Sequence, residues 1–215
     1  MEKRLDINNK TSIYIIYSNF LDDEGQKHVI GGIQQYIFGL INVFHKDFSI
    51  KVIQKAKTSF YKKFDEYDVY AFDVSKNKIA KELYYKIKDE INPSDYIIWA
   101  SDRISAKINH KNTISIQHGI TFDFLDYKSI RLGNLIKSSL ALSILYRLFQ
   151  YGSAITYFLK TPQVVCVDYN FLNWIRTILP RTITDRAVVI PNFSKIPNAY
   201  NKTRENKNIS ILLYV

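Results

Sequence analysis

The sequence predicts an α/β protein built on a doubly wound, mostly parallel sheet. Three observations predict it. Short, near-continuous apolar runs rich in β-branched and aromatic residues recur along the chain. Amphipathic helical stretches separate most of them. Polar residues stand where each apolar run ends.

The elements follow in order. "TSIYIIYS" (Thr11–Ser18) reads as the first strand, and a polar loop, "NFLDDEGQKHVIGG", leads from it to a helix. That helix carries Ile33, Tyr36, Ile37, Leu40, Ile41 and Phe44 at spacings of three and four, one buried stripe. "FSIKVIQ" (Phe48–Gln54) and "YDVYAFD" (Tyr67–Asp73) are the next strands. The helix "KNKIAKELYYKIKDEI" follows, with Ile79, Leu83, Ile87 and Ile91 on one side. "SDYIIWAS" (Ser94–Ser101), "TISIQH" (Thr113–His118), "QVVCVD" (Gln163–Asp168) and "RAVVIP" (Arg186–Pro191) continue the strand series. The intervening helices are expected over Lys128–Lys160, with a break near Gly152, and over Asn170–Leu179, stopped by Pro180. The count is six or seven parallel strands. After "PNFSKIPN" the polar run "AYNKTRENKN" has the composition of a linker, and "ISILLYV" begins a further strand. Residues 1–200 are therefore expected to form one domain, and 201–215 a linker with the first strand of a second, absent domain.

Composition narrows the function classes. The 215 residues carry 30 Lys+Arg against 20 Asp+Glu, a formal net charge of +10. Such a balance points to nucleic acid, an anionic membrane surface or a phosphorylated small molecule. No acidic residue stands between Asp126 and Asp168, where Lys128, Arg131, Lys137, Arg147 and Lys160 accompany the most apolar stretch of the chain. Arg147 and Gln150 interrupt that stretch, so a spanning helix is not expected, and a membrane surface fits better than a nucleic-acid groove. An ordinary core helix with solvated lysines is the competing reading. No nucleic-acid reader motif is present. His28, His45 and His110 share no metal-ligand spacing, and no serine-hydrolase pattern occurs. The lone Cys166 cannot form an internal disulfide and fits a reducing compartment, and the charged N-terminus has no secretory h-region. A cytoplasmic location, peripheral on the inner face of the membrane, is expected.

Chemistry concentrates at two places. Gly31 and Gly32 open the first long helix without matching G-x-G-x-x-G or G-x-x-x-x-G-K-[ST]. Glycine permits positive φ and close backbone approach, and a helix start offers unpaired N–H groups to an anion. A tight turn with no ligand is the alternative. His118 ends a strand and precedes Gly119, at the edge where parallel sheets gather functional residues. A histidine there can hydrogen-bond a hydroxyl or steady charge near neutral pH, or be a satisfied structural residue. Asp123 can bind a hydroxyl or begin a turn. Asn19, Asp102 and Asn192, also at strand ends, read as cap or turn residues.

Four stretches in order resemble the N-terminal half of a family 4, GT-B fold glycosyltransferase, over almost the whole chain: "YIIYSNF…VIGGIQQYI", "TISIQHGITFD", "VVCVDYNFLNWIRTI" and "VVIPNFS", with "NISILLYV" similar to the start of the donor-binding domain. Asp168 and Phe193 stand where that family often has serine and glycine. The resemblance implies a Rossmann-like acceptor-side domain that transfers a sugar, with retention, from a sugar nucleotide to a polysaccharide or lipid-linked glycan. It implies no metal and no cofactor beyond the sugar nucleotide as substrate. His118 would be the catalytic residue, with Gly31, Gly32, Gly119 and Asp123 binding substrate. The family's donor contacts lie mostly in the missing domain, so activity would require a separate donor-binding chain. The alternative is a non-catalytic membrane-surface half or gene remnant that recruits such a chain.

Overall fold

Ser12–Ile16, the first strand (β1), is buried along its whole length, which requires cover on both of its faces. In the computed structural model, which describes residues 10–75, 78–119, 133, 134, 136 and 138–192, β1 lies inside an eight-stranded sheet. The chain continues through helix α1 (Gly32–Phe44), strands β2 (Ser49–Ala56), β3 (Phe60–Lys63) and β4 (Asp68–Asp73), and helix α2 (Ile79–Ile87). It then forms β5 (Tyr96–Trp99), β6 (Thr113–Gln117), helix α3 (Leu140–Phe158) and β7 (Gln163–Cys166). Helices α4 (Tyr169–Ile178) and α5 (Arg181–Thr184) and strand β8 (Ala187–Val189) complete the described chain.

The strand order is β3-β4-β2-β1-β5-β6-β7-β8, and every pairing is parallel except β3 with β4. This mostly parallel α/β arrangement is compatible with a Rossmann-like fold. The chain steps from β1 outward to β2 and β4, then crosses back to β5 on the other side of β1. The order therefore reverses between β1 and β5, and the crevice for a ligand in such sheets lies at the strand ends there.

Alternation along β1 distributes the core. Ile13 and Ile15 pack with Tyr36, Ile37, Leu40 and Ile41 of α1 on one face. Tyr14 and Ile16 pack with Leu83 and Ile87 of α2 on the other, around Trp99. A third cluster joins Ala154 and Phe158 of α3 to Phe171, Leu172 and Ile175 of α4 over β7 and β8. Each such side chain removed from water contributes about 1.5–3 kcal/mol. The start of the sheet is pinned by Asp95, 2% exposed, whose carboxylate accepts from the backbone N–H of Ser12 and of Asn92, each at 2.8 Å.

Two expectations need correction. The sheet has eight strands rather than six or seven: seven run parallel, and β3 adds an antiparallel edge. Its "FYKK" is short, half exposed and lysine-rich, the composition of an edge strand and not of a buried run. The long helix does not break at Gly152, which lies within α3. The interruption falls at Ser139, whose extended backbone (φ −132°, ψ 122°) follows helical Ser138 and whose hydroxyl caps α3. "ISILLYV" and the proposed boundary at residue 200 lie outside the described residues.

Candidate functional site

The C-terminal ends of β1, β5 and β6 stand side by side at the order reversal. What leaves each of them defines the site. From β1 the loop of residues 17–31 runs out and back to α1. It is folded on itself by a bridge between Leu21 and His28, with Gly25 at φ +70° in the turn. Gln54 of β2, fully buried, fixes its base: the side-chain oxygen accepts from the N–H of Phe20 (2.9 Å) and of Leu21 (2.6 Å). The far side of the loop is packed aromatically, with His28 edge-on to Phe20 and Phe38, tilted against Phe64 and bonded to the Tyr67 hydroxyl at 2.9 Å.

Gly31 and Gly32 sit where the sequence places them, at the start of α1, but not in the conformation expected of them. Gly31 is extended (φ −176°, ψ 166°), so neither glycine is there for a positive φ. Gly31 makes room instead: a Cβ there would strike the Gln34 side-chain oxygen. Gln34, 5% exposed, turns its amide back to donate to the Asn19 carbonyl at 2.9 Å, closing the loop over the end of β1. Around Gly32 nothing lies within 4 Å of the position a Cβ would take. No side chain caps this helix and no acidic residue occupies its first turn. The start of α1 thus presents bare backbone, with the partial positive charge of a helix N-terminus, to an open surface.

His118 follows β6 directly. Its Nε2–H donates to the Ala100 carbonyl at the end of β5, 2.9 Å away, which leaves Nδ1 as the acceptor nitrogen of the neutral ring. Burial lowers its pKa, opposed by the bond to Ala100, so the ring is neutral at pH 7. Tyr36 of α1 meets it edge-on, ring centroids 5.4 Å apart and planes at 90°. Tyr36 lies four residues beyond Gly32, about 6 Å along the helix. The glycine start and His118 therefore open on the same rim, joined through Tyr36. Gly119 takes φ +66°, the left-handed region that favours glycine, and turns the chain sharply off β6. Its carbonyl accepts from the Gln117 amide, whose own oxygen is buried without a partner. Asp123 lies outside the described residues.

The other strand-end residues have distinct roles. Asp168 caps α4, accepting from the N–H of Asn170 (2.9 Å) and Phe171 (3.3 Å). Asp102, expected as a cap or turn residue, is buried in the first turn of a short 3-10 helix after β5 and accepts from the Arg103 N–H at 2.9 Å. Burial pushes its pKa up to about 6, against the pull of that N–H, Arg103 and Lys160. Gln34 and Tyr36 were not singled out for these positions. They look like ordinary polar and stripe residues of a helix, and only the fold brings Tyr36 to His118. A hollow of about 430 Å³ lies at the opposite edge of the sheet, where β1, β2 and β4 begin, lined by Lys10, His45, Lys51, Glu66 and Asp68 among others. Among the described residues no group of three or more His, Cys, Asp or Glu is placed to hold a metal ion. No family model matches the chain, and no curated protein is significantly similar to it.

Proposed function

We propose that this domain is the acceptor-side half of a GT-B glycosyltransferase that moves a sugar from a sugar nucleotide to a polysaccharide or a lipid-linked glycan. One observation carries the reading: a bare helix N-terminus and a neutral, half-buried histidine open on the same rim at the order reversal of the sheet. The start of α1 suits the diphosphate of a nucleotide sugar, because backbone N–H groups bind anionic oxygen without a counter-charge to displace. His118 suits a sugar or acceptor hydroxyl. Its Nε2–H is committed to Ala100, so Nδ1 accepts the hydroxyl proton's hydrogen bond, and the depressed pKa keeps that nitrogen unprotonated at pH 7. The ordered strand ends supply position, and closing a second domain over the rim would exclude water from the reacting phosphate.

In this reading the donor-binding half comes from a further domain or a separate chain, and no metal takes part. A lipid-linked acceptor places the domain at the inner face of a membrane. The test is a transfer assay with a panel of sugar nucleotides and lipid-linked acceptors, run with and without a candidate donor-binding chain. Transfer that depends on both components, and that is lost in His118→Ala with unchanged melting, supports the proposal. Donor-dependent transfer that survives His118→Ala removes the histidine from it, and no transfer with any pair leaves the domain a binding module.

A further inference from the structure

Helix α3 carries its apolar side chains on the wrong side for a core helix. In its second half, Ala154 and Phe158 are buried against α4 and the sheet. In its first half, Leu140 (79%), Leu142, Ile144, Leu145 (61%), Leu148 (60%) and Phe149 (70%) all face solvent, while Ser143, Tyr146 and Gln150 are the more covered positions. At 3.6 residues per turn the six exposed side chains span an arc of about 200°. We infer that the first half of α3 is a membrane-docking element that lies in the interface of an anionic bilayer.

The width of the arc argues for a bilayer over a protein. A helix packed on one partner needs an apolar stripe of roughly 100°, whereas a helix lying in the headgroup region immerses about half its circumference. Charge argues for anionic lipid. From residue 127 to residue 167 the sequence has no Asp or Glu and five Lys or Arg, so neither the helix nor the sequence that runs into and out of it carries a charge that repels a negative surface. Spanning is not the alternative, since no helix among the described residues is long and apolar enough to cross a membrane. The inference rests on the proposed function only in naming what docking achieves: it would hold the rim at the depth where a lipid-linked acceptor presents its glycan.

The experiment is co-flotation of the full chain with vesicles of neutral phosphatidylcholine, alone or with about 30% phosphatidylglycerol, without any sugar nucleotide. Binding is expected to the anionic vesicles, weakened several-fold when salt is raised from about 0.1 to about 0.5 M. Leu145→Glu with Phe149→Glu should lose about tenfold or more of that binding, since two large apolar side chains no longer enter the interface. Val43→Glu, at an exposed apolar position of α1 on the other face of the sheet, should bind as the parent does. Melting curves of both variants should match the parent. Equal binding to neutral vesicles, full binding by the double variant, or no binding to either kind of vesicle each overturns the inference. Vesicle binding with no sugar transfer would instead count against the transferase reading alone.

Discussion

Replacing Asp102 by asparagine should stabilise this protein at neutral pH, and the gain should vanish in acid. The carboxyl is 6% exposed and receives the Arg103 N–H, and the charges of Arg103 and Lys160 pull the same way. Burial outweighs both and lifts its pKa to about 6, against about 4 in the unfolded chain. A raised folded-state pKa means the native state prefers the protonated acid. Stability from this group is fully present below about pH 4 and is lost as pH rises through about 6. Two pKa units correspond to about 3 kcal/mol at pH 7.5, an upper figure because some water reaches the rim. Asparagine keeps the acceptor oxygen for Arg103 and removes the charge. The expected gain is about 1–3 kcal/mol at pH 7.5, a rise of several degrees in Tm for a chain of this size. Urea melts of both proteins at pH 7.5, 5.5 and 4 measure it. A gain of the same size at all three pH values, or a loss at pH 7.5, would refute the argument that burial governs this carboxyl.

The two glycines should behave differently. Gly31→Ala displaces the Gln34 amide and its bond to Asn19, costing about 1 kcal/mol, while Gly32→Ala meets nothing and should be neutral or slightly stabilising, as denaturant melts will show. His118 should titrate below 6.5 by NMR with the proton retained on Nε2, so the stability it contributes is present above pH 6.5 and lost as pH falls through its lowered pKa; a midpoint above 6.5 would contradict its burial. Leu83→Ala, fully buried on the sheet-facing side of α2, should cost about 2–5 kcal/mol. Leu145→Ala, on the exposed arc of α3, should fall within about 0.5 kcal/mol of the parent, and a large loss there would mean that the arc packs on something.

The parallel sheet was legible because its central strands are buried on both faces and are apolar at most positions, as in "IYII" of β1 and "IIW" of β5. The edge strand β3 was not, since Tyr61 and Lys63 face water and its pairing with β4 depends on a turn rather than on a pattern. Strand ends located His118 and the glycine pair, because a polar residue after an apolar run marks the rim. The use of each residue was less visible. Gly31 serves the packing of Gln34 rather than a left-handed turn, and the tautomer of His118 is set by the Ala100 carbonyl, which leaves no trace in the residue types. The exposed arc of α3 could be suspected from its missing acids. Its direction depended on which turn of the helix reaches the body of the protein, and that is a property of the fold.

The central claim is that the start of α1 and His118 bind one ligand. Chemical-shift mapping of the isotopically labelled chain, titrated with sugar nucleotides and then with a phosphorylated lipid-linked acceptor analogue, tests it most directly. Shifts are expected at the amides of Gly32 and Ile33 and in the His118 ring with the same ligand and the same saturation curve, weakened together by His118→Gln. Shifts confined to the hollow at the opposite edge around Lys51 and His45, or saturation of the helix start with no response from His118, would contradict it.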